Sequence, residues 1–303
     1  MLSSLFYSTL RATALPALAR RLRDTGVVLC YHNVVPAGAA SAGADSLHMP
    51  LPQFRTQMEW LAHHYRVVLL RELVDRVRSG QSLRGLAAIT FDDGYTGVFA
   101  HALGILRGLG LPATVFVVAE GPDGGGGSYW WDHPNLPTGD DASRHKHWCL
   151  DLRGDGRAIL GELGLDPAPP AQPAQRPAPW SVLAAAAQSG VELGVHSATH
   201  RTLPRLSDDE LTRELVWSRE TIGKATGTTP DAFAHPYGIW DDRVRTAAEN
   251  AGYRCACTLE ASLVCRGTDP MALPRVNIPA RIGEAAFEAW LSGFNPRKGA
   301  HSP

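Results

Sequence analysis

Asp92 and Asp93 stand side by side in Thr90-Phe91-Asp92-Asp93-Gly94-Tyr95, after an apolar run and before a helical pattern. Adjacent carboxylates at a strand end cannot both point one way, so one can bind a cation while its neighbour serves as a base. Alone, Asp-Asp-Gly equally suits a turn before a helix cap. A second segment, Gly194-Val195-His196-Ser197-Ala198-Thr199-His200, also follows a strand pattern and offers two imidazoles at i and i+4. Two histidines and one carboxylate make three protein ligands with an open fourth position, the donor set of hydrolytic zinc sites. A third segment, Phe233-Ala234-His235-Pro236-Tyr237-Gly238, ends another apolar run. Its turn is commonplace by itself, and its order after the other two is what carries information.

The elements that must position these residues are legible from periodicity. Apolar, β-branched runs predict strands at 27–31, 67–70, 87–91, 113–118, 191–195, 232–234, 253–258 and 275–278. Helices are expected around Phe54, Met58 and Leu61, at 98–109 closed by Gly110, and at 180–188, 240–251 and 284–291. Ser207-Asp208-Asp209-Glu210 is a capping-box signal for another, reaching about 224. Such alternation argues for an α/β fold of roughly seven or eight parallel strands, in a barrel or an open sheet, with functional side chains at the strand C-termini. Residues 121–179, with a glycine run at 124–127 and prolines from 167 to 179, read as a loop insertion. The expected organisation is an N-terminal helical segment, 1–25, and one domain, 26–295, carrying that insertion.

Composition narrows the partners. The chain of 303 residues has 44% hydrophobic residues and a formal net charge of −1, so nothing suggests nucleic-acid binding. The five cysteines, Cys30, Cys149, Cys255, Cys257 and Cys265, are odd in number and lack a Cys-x-x-Cys pair, which argues against a disulfide framework or a zinc ribbon. The first twenty residues are apolar but broken by Arg11 and Arg20. No uninterrupted stretch of the secretory or membrane-spanning kind is present, so the expected location is the cytoplasm or the cytoplasmic face of the membrane. Leu5, Leu10, Leu15 and Leu18 can line a helix packed on the domain, which is the expectation, or make a peripheral membrane contact.

Thr-Phe-Asp-Asp-Gly, then His-x-x-x-His, then Pro-Tyr-Gly resembles the polysaccharide deacetylase family (NodB-like, carbohydrate esterase family four) over roughly residues 27–278. Cys30-Tyr31-His32, at the end of the first strand, is similar to the Tyr-His motif of the exopolysaccharide, poly-N-acetylglucosamine branch. The resemblance implies a distorted (β/α) barrel and a divalent metal, most often zinc. It implies that Asp93, His196 and His200 bind the metal and that Asp92 is the general base. Tyr95 would offer its backbone N–H to the oxyanion, and Pro236 and Tyr237 would wall the sugar subsite. The implied reaction is hydrolysis of acetyl groups from an amino sugar, in a polysaccharide or its lipid-linked precursor.

Two departures from the family pattern stand out. The arginine that many members carry after the Phe of the third motif, where it holds the base, is Ala234 here. The C-terminal Leu-x-His that supplies their catalytic acid has no counterpart after Ile278. In the branch with the N-terminal Tyr-His the elements are permuted, so His32 can take the acid's place; Arg275 in Leu273-Pro274-Arg275 can return an orienting arginine near the site, or be a surface or structural residue. His63, His64, His101, His145 and His147 read as surface or cap residues, and His235 as shaping the pocket. Trp130 and Trp131 either stack on sugar rings or anchor the insertion. Two rivals stay open: a carbohydrate-binding relative without catalysis, and a hydrolase of another acyl group, such as a deformylase or an O-deacetylase acting on a lipid-linked sugar.

Overall fold

The computed structural model describes residues 2–39, 45–122, 128–137, 141–168 and 172–295. Its strands, in chain order, are β1 (Thr25–Tyr31), β2 (Asn33–Val35), β3 (His48–Pro50), β4 (Arg66–Val67), β5 (Leu86–Phe91), β6 (Ala113–Val117), β7 (Glu192–Val195), β8 (Ala232–Ala234), β9 (Cys255–Cys257), β10 (Val264–Cys265) and β11 (Val276–Asn277). β1, β5, β6, β7, β8 and β9 lie side by side in that order, all parallel. β10 joins β1 antiparallel near its start. The runs Val27–Tyr31 and Leu86–Phe91 are buried throughout, as parallel strands covered on both faces must be.

The sheet curls until one short stretch of chain bridges its two edges. Leu273 pairs with Cys257 of β9, and three residues on Val276 and Asn277 pair with Leu29 and Cys30 of β1. Pro274 lies between the two contacts and has no N–H to give a ladder, so the stretch changes partners there. The distorted barrel implied by the family resemblance is therefore present, closed by a split strand that carries Arg275.

Side chains alternate across the sheet. Val28, Ala88, Phe116, Ala234, Cys257 and Leu273 form one buried cluster with Leu70, Leu73, Val74 and Val77. Leu29, Ile89, Val115 and Val195 face the other way, into the larger core with Phe54, Met58 and Leu61 of the helix Leu51–His64. The capping box forms: Ser207 Oγ accepts from the Glu210 N–H, and the Glu210 carboxylate accepts from the Ser207 N–H.

Two expectations need correction, and one pair of strands is new. Residues 67–70 are not one strand: β4 stops at Val67 and a helix runs Leu70–Arg78. Its Leu70, Leu73, Val74 and Val77 repeat at helical spacing, a signal hidden by the apolar run that precedes it. The insertion is not all loop, because it holds the helices Ala142–Lys146 and Gly156–Glu162, each N-capped by an aspartate, Asp141 and Asp155. The glycine run 124–127 lies outside the described residues. Finally, β2 and β3 form a small parallel pair that periodicity did not predict.

Candidate active site

The motif residues sit where strands end, and the backbone there is held in an unusual form. Asp93, Ser197, His200 and Tyr237 have φ of 68°, 64°, 61° and 58°, the left-handed region that non-glycine residues avoid. Surrounding bonds hold the Asp93 turn and the loop of the two histidines. Tyr129 Oη donates to the Asp93 carbonyl. The His200 N–H donates to Ser197 Oγ at 2.9 Å, and the buried Glu214 carboxylate accepts from the N–H groups of Ala198 and Thr199 at 2.8 and 2.9 Å. The loop joining the two histidines is thus clamped from behind. Gly94, with φ 69°, is needed where the Asp-Asp turn closes.

This geometry brings three donor atoms together. His196 Nε2 and His200 Nε2 lie 3.2 Å apart, and each is 3.6 Å from Asp93 Oδ1. Ligand atoms around a tetrahedral ion with bonds of about 2.0–2.1 Å stand roughly 3.3 Å from one another, so the triangle fits a zinc-sized cation. Asp93 Oδ1 is buried without a hydrogen-bond partner among the described residues. Burial first, then the carboxylates of Asp92 and Asp132, push the Asp93 acid well above its ordinary range. Burial also lowers both histidines, leaving neutral imidazoles. His196 Nδ1 lies 2.8 Å from the Ala234 carbonyl, which makes it the donor there and leaves Nε2 with its lone pair. A buried carboxyl with an unpartnered oxygen, which a cation would hold ionised, and two neutral nitrogen donors make a donor set that suits a divalent metal.

Asp92 faces the barrel interior, in another environment. Arg275, fully buried, lays its guanidinium on the carboxylate as a fork, Nη1 to Oδ1 at 2.7 Å and Nη2 to Oδ2 at 2.8 Å. Nε donates to the Thr258 carbonyl at 3.0 Å and Nη1 also to Thr90 Oγ1 at 3.2 Å. Cys30 Sγ donates to Asp92 Oδ2 at 3.3 Å. Burial works to raise the Asp92 pKa, but the positive charge and hydrogen bonds of Arg275, with His196, hold it well below the usual carboxylate range. His32, Cys30 and Asp92 bring ligand-type atoms within 4.8 Å of one another. Burial pushes His32 down to about 4 while Asp92 pulls the other way.

These residues floor a cleft of about 770 Å³ lined by His32, Asp92, Asp93, His196 and His200, by Tyr237, and by Trp130, Trp131 and Trp148 of the insertion. Tyr237 stands edge-on to His200 with ring centres 4.6 Å apart. Gly154 sits so close to it that a Cβ would come within 2.7 Å of the Tyr237 ring. Pro236, expected as a second wall, is buried and does not line the cleft; nor does His235, enclosed between Phe233 and Trp240. His145 is exposed in the last turn of the helix Ala142–Lys146, as expected of a surface or cap residue, and it also lines the cleft. Trp131 serves as an anchor: it stacks on Tyr129 at 4.6 Å, packs on His200 at 4.5 Å, and donates Nε1–H to Tyr95 Oη at 2.7 Å.

The fastening behind that anchor escaped sequence reasoning. Tyr95 Oη donates to Asp132 Oδ2 at 2.6 Å, His48 Nε2 lies 2.8 Å from Asp132 Oδ1, and Asn33 Nδ2 lies 3.1 Å from His48 Nδ1. All four residues are buried. The Tyr95 side chain is therefore behind the site, and its backbone is paired across Pro177 through Gly94 and Thr96, which turns the Tyr95 N–H away from that partner.

Comparisons with known proteins bear on the fold and the family. The Bacillus subtilis protein YxkH, which bears a polysaccharide deacetylase name, is 21% identical over 269 residues, covering 88% of this chain and 76% of its own. The Streptococcus pyogenes deacetylase PplD, solved in complex with acetate, superposes with a TM-score of 0.63 at 17% identity, over 90% of this chain and 99% of its own. IcaB from Ammonifex degensii gives 0.62 at 19%, over 89% and 98%. At such identities the solved structures speak for a shared fold. The family profile described as polysaccharide deacetylase matches residues 80–256, more than half of the chain and the whole stretch from the Asp-Asp turn to the Pro-Tyr-Gly turn. The chain thus belongs to the polysaccharide deacetylase family, hydrolases acting on carbon–nitrogen bonds other than peptide bonds.

Proposed function

We propose that this protein is a zinc-dependent deacetylase that removes acetyl groups from an N-acetylated amino sugar, in a polysaccharide or its lipid-linked precursor. The observation that carries the proposal is the triangle of Asp93 Oδ1, His196 Nε2 and His200 Nε2, with its unsatisfied buried oxygen, on the floor of a cleft large enough for sugar rings. A bound divalent cation supplies Lewis acidity toward an acyl oxygen and a water.

In this reading the protein's own groups do the rest. Asp92, kept ionised by Arg275, takes the proton from the attacking water. The Tyr95 backbone N–H donates to the oxyanion that forms at the acyl carbon. His32 gives a proton to the departing nitrogen, an amine that leaves poorly without one. Because burial holds His32 down to about 4, it is neutral at rest and donates a proton gained within the turnover; Asp92, inside 4.8 Å of it, is the nearby source. Trp130, Trp131, Trp148 and Tyr237 give the cleft an aromatic side that suits the apolar faces of pyranose rings. The unpaired cysteines support a reducing compartment, the cytoplasm or the cytoplasmic face of the membrane.

The test compares His32→Ala with wild type on an N-acetyl amino sugar oligomer and on an activated aryl acetate. The proposal expects a loss of about 10²–10⁴ on the amide and a clearly smaller one on the ester, with metal content unchanged. Equal losses on both would remove His32 as the acid. A panel of N-formyl, N-acetyl and O-acetyl sugars addresses the rival acyl groups: preference for formyl or O-acetyl over N-acetyl substrates would replace the deacetylase reading. A chain that binds sugar and hydrolyses none of the panel would be the non-catalytic relative.

A further inference from the structure

The two helices that open the chain carry a surface that the fold does not use. Helix Leu2–Ala12 packs on helix Glu284–Leu291 through Tyr7 and Leu10, both buried, and helix Leu15–Leu22 buries Pro16. Leu5, Leu15 and Leu18, expected with Leu10 to face the domain, are 67%, 52% and 48% exposed, joined by Phe6 at 59% and Leu22 at 66%. The other exposed large apolar residues among the described ones, Val216 and Trp217, are less open, at 37% and 38%, and lie on another helix. Leu15, Leu18 and Leu22 recur at i, i+3 and i+7, one unbroken stripe of a helix. None of these side chains lines the catalytic cleft.

Charge says what covers the stripe. Residues 1–23 hold four arginines, Arg11, Arg20, Arg21 and Arg23, and no carboxylate, in a chain whose net charge is −1. Arg11 pairs with Glu284 and Glu288, and Arg20 and Arg23 bond to Ser292, while Arg21 is exposed beside the stripe. A second copy meeting this face about a two-fold axis would set the same basic residues against each other. An anionic lipid surface would accept both the leucines and the arginines. The helices have 11 and 8 residues, about 16 and 12 Å of axis, far short of a bilayer core of about 30 Å, so they can lie on a membrane but not cross it.

We infer that the outward face of this helical pair docks the protein on the surface of an anionic membrane, through Leu5, Phe6, Leu15, Leu18 and Leu22 in the acyl–headgroup boundary and Arg21 among the headgroups. The inference is independent of the deacetylase reading.

Co-sedimentation of the full chain with vesicles tests it. Wild type binds vesicles of equal parts phosphatidylglycerol and phosphatidylcholine, and binds pure phosphatidylcholine at least about tenfold more weakly. The triple variant Leu15→Glu/Leu18→Glu/Leu22→Glu loses at least about tenfold in affinity for the anionic vesicles while keeping its thermal transition and its rate on a soluble substrate. Arg21→Glu weakens binding and flattens its salt dependence. Wild type that stays in the supernatant with anionic vesicles, or a triple variant that binds as well as wild type, overturns the inference. So does a vesicle-free wild-type dimer that the triple variant dissolves, since a second copy then covers the stripe. Should the triple variant lose its thermal transition, the Arg21→Glu arm decides: unchanged binding to anionic vesicles overturns the inference, and weakened binding upholds it.

Discussion

Replacing Arg275 by methionine isolates what the guanidinium does for Asp92, because methionine keeps most of the volume and removes charge and fork together. Both groups are buried, with exposures of 0% and 1%. Removing one partner of a buried pair costs about 3–5 kcal/mol, and loss of the bonds to Thr258 and Thr90 lies within the same disruption. At about 2–3 °C per kcal/mol for a chain of this size, a mid-range cost of about 4 kcal/mol lowers the melting temperature by roughly 8–12 °C near pH 7. The sign with pH follows from linkage. In wild type Asp92 is ionised, its folded pKa depressed, so its contribution is present above the unfolded carboxylate value and lost as pH falls through the folded one. In Arg275→Met burial acts unopposed, so Asp92 takes up a proton that the unfolded chain, with a pKa near ~3.9, does not hold. Between pH 4 and 8 the gap between the two proteins is therefore smallest at pH 4 and widens by about 1.4 kcal/mol per pH unit until the variant's own Asp92 pKa is passed. Calorimetric unfolding between pH 4 and 8, at matched metal content, measures it. On a deacetylation assay the variant loses about 10²–10⁴ in kcat near neutrality, since its base is protonated. Arg275→Lys keeps the charge but not the fork and falls between. A variant that melts within about 2 °C of wild type across this range, with kcat within about threefold, would refute the coupling of Arg275 to Asp92.

Other perturbations separate the remaining roles. Asp92→Asn keeps the metal and loses most of the rate, whereas Asp93→Asn loses metal affinity first, read by elemental analysis beside kcat; equal retention and equal slowness would undo the division of labour. Asp132→Ala leaves His48 and Tyr95 without their shared acceptor in a buried site, which costs about 1–3 kcal/mol and loosens the Trp131 wall; a raised KM with a lowered melting temperature is expected, and an unchanged KM would show that the wall is held by packing alone. Gly154→Val forces a side chain toward Tyr237 at a φ of 67°, so KM rises with little change in metal content; an unaltered KM would remove Tyr237 from the substrate wall.

What the sequence made legible was local. Asp92, Asp93, His196 and His200 carry their signal in short spacings at strand ends, and the alternation of β and α patterns placed those ends on one rim of a parallel sheet. Arg275 was legible only as a nearby cationic side chain, because nothing in Leu273-Pro274-Arg275 tells that this stretch closes the barrel above Asp92. Asn33, His48, Asp132 and Glu214 were not legible. Their partners are far along the chain, Asp132 84 residues from His48 and Glu214 15 residues from Thr199, and each reads alone as an ordinary polar residue. The one cue to that network is Asp132 beside Trp130 and Trp131, an acid inside an aromatic run. Exposure of Leu15, Leu18 and Leu22 was likewise undecidable, since a helix stripe looks the same whether it meets a core or a lipid surface.

The central claim is that Asp93, His196 and His200 hold a cation on which deacetylation depends. The most direct measurement is acetate release from N-acetylglucosamine oligomers by protein stripped with a chelator and then titrated with zinc, with His200→Ala run beside it. The account predicts activity near zero in the stripped protein, a rise that saturates at one equivalent of zinc per chain, and no rise in His200→Ala at the same zinc concentrations. Acetate release that persists in verified metal-free protein, or that zinc restores equally in His200→Ala, would contradict it.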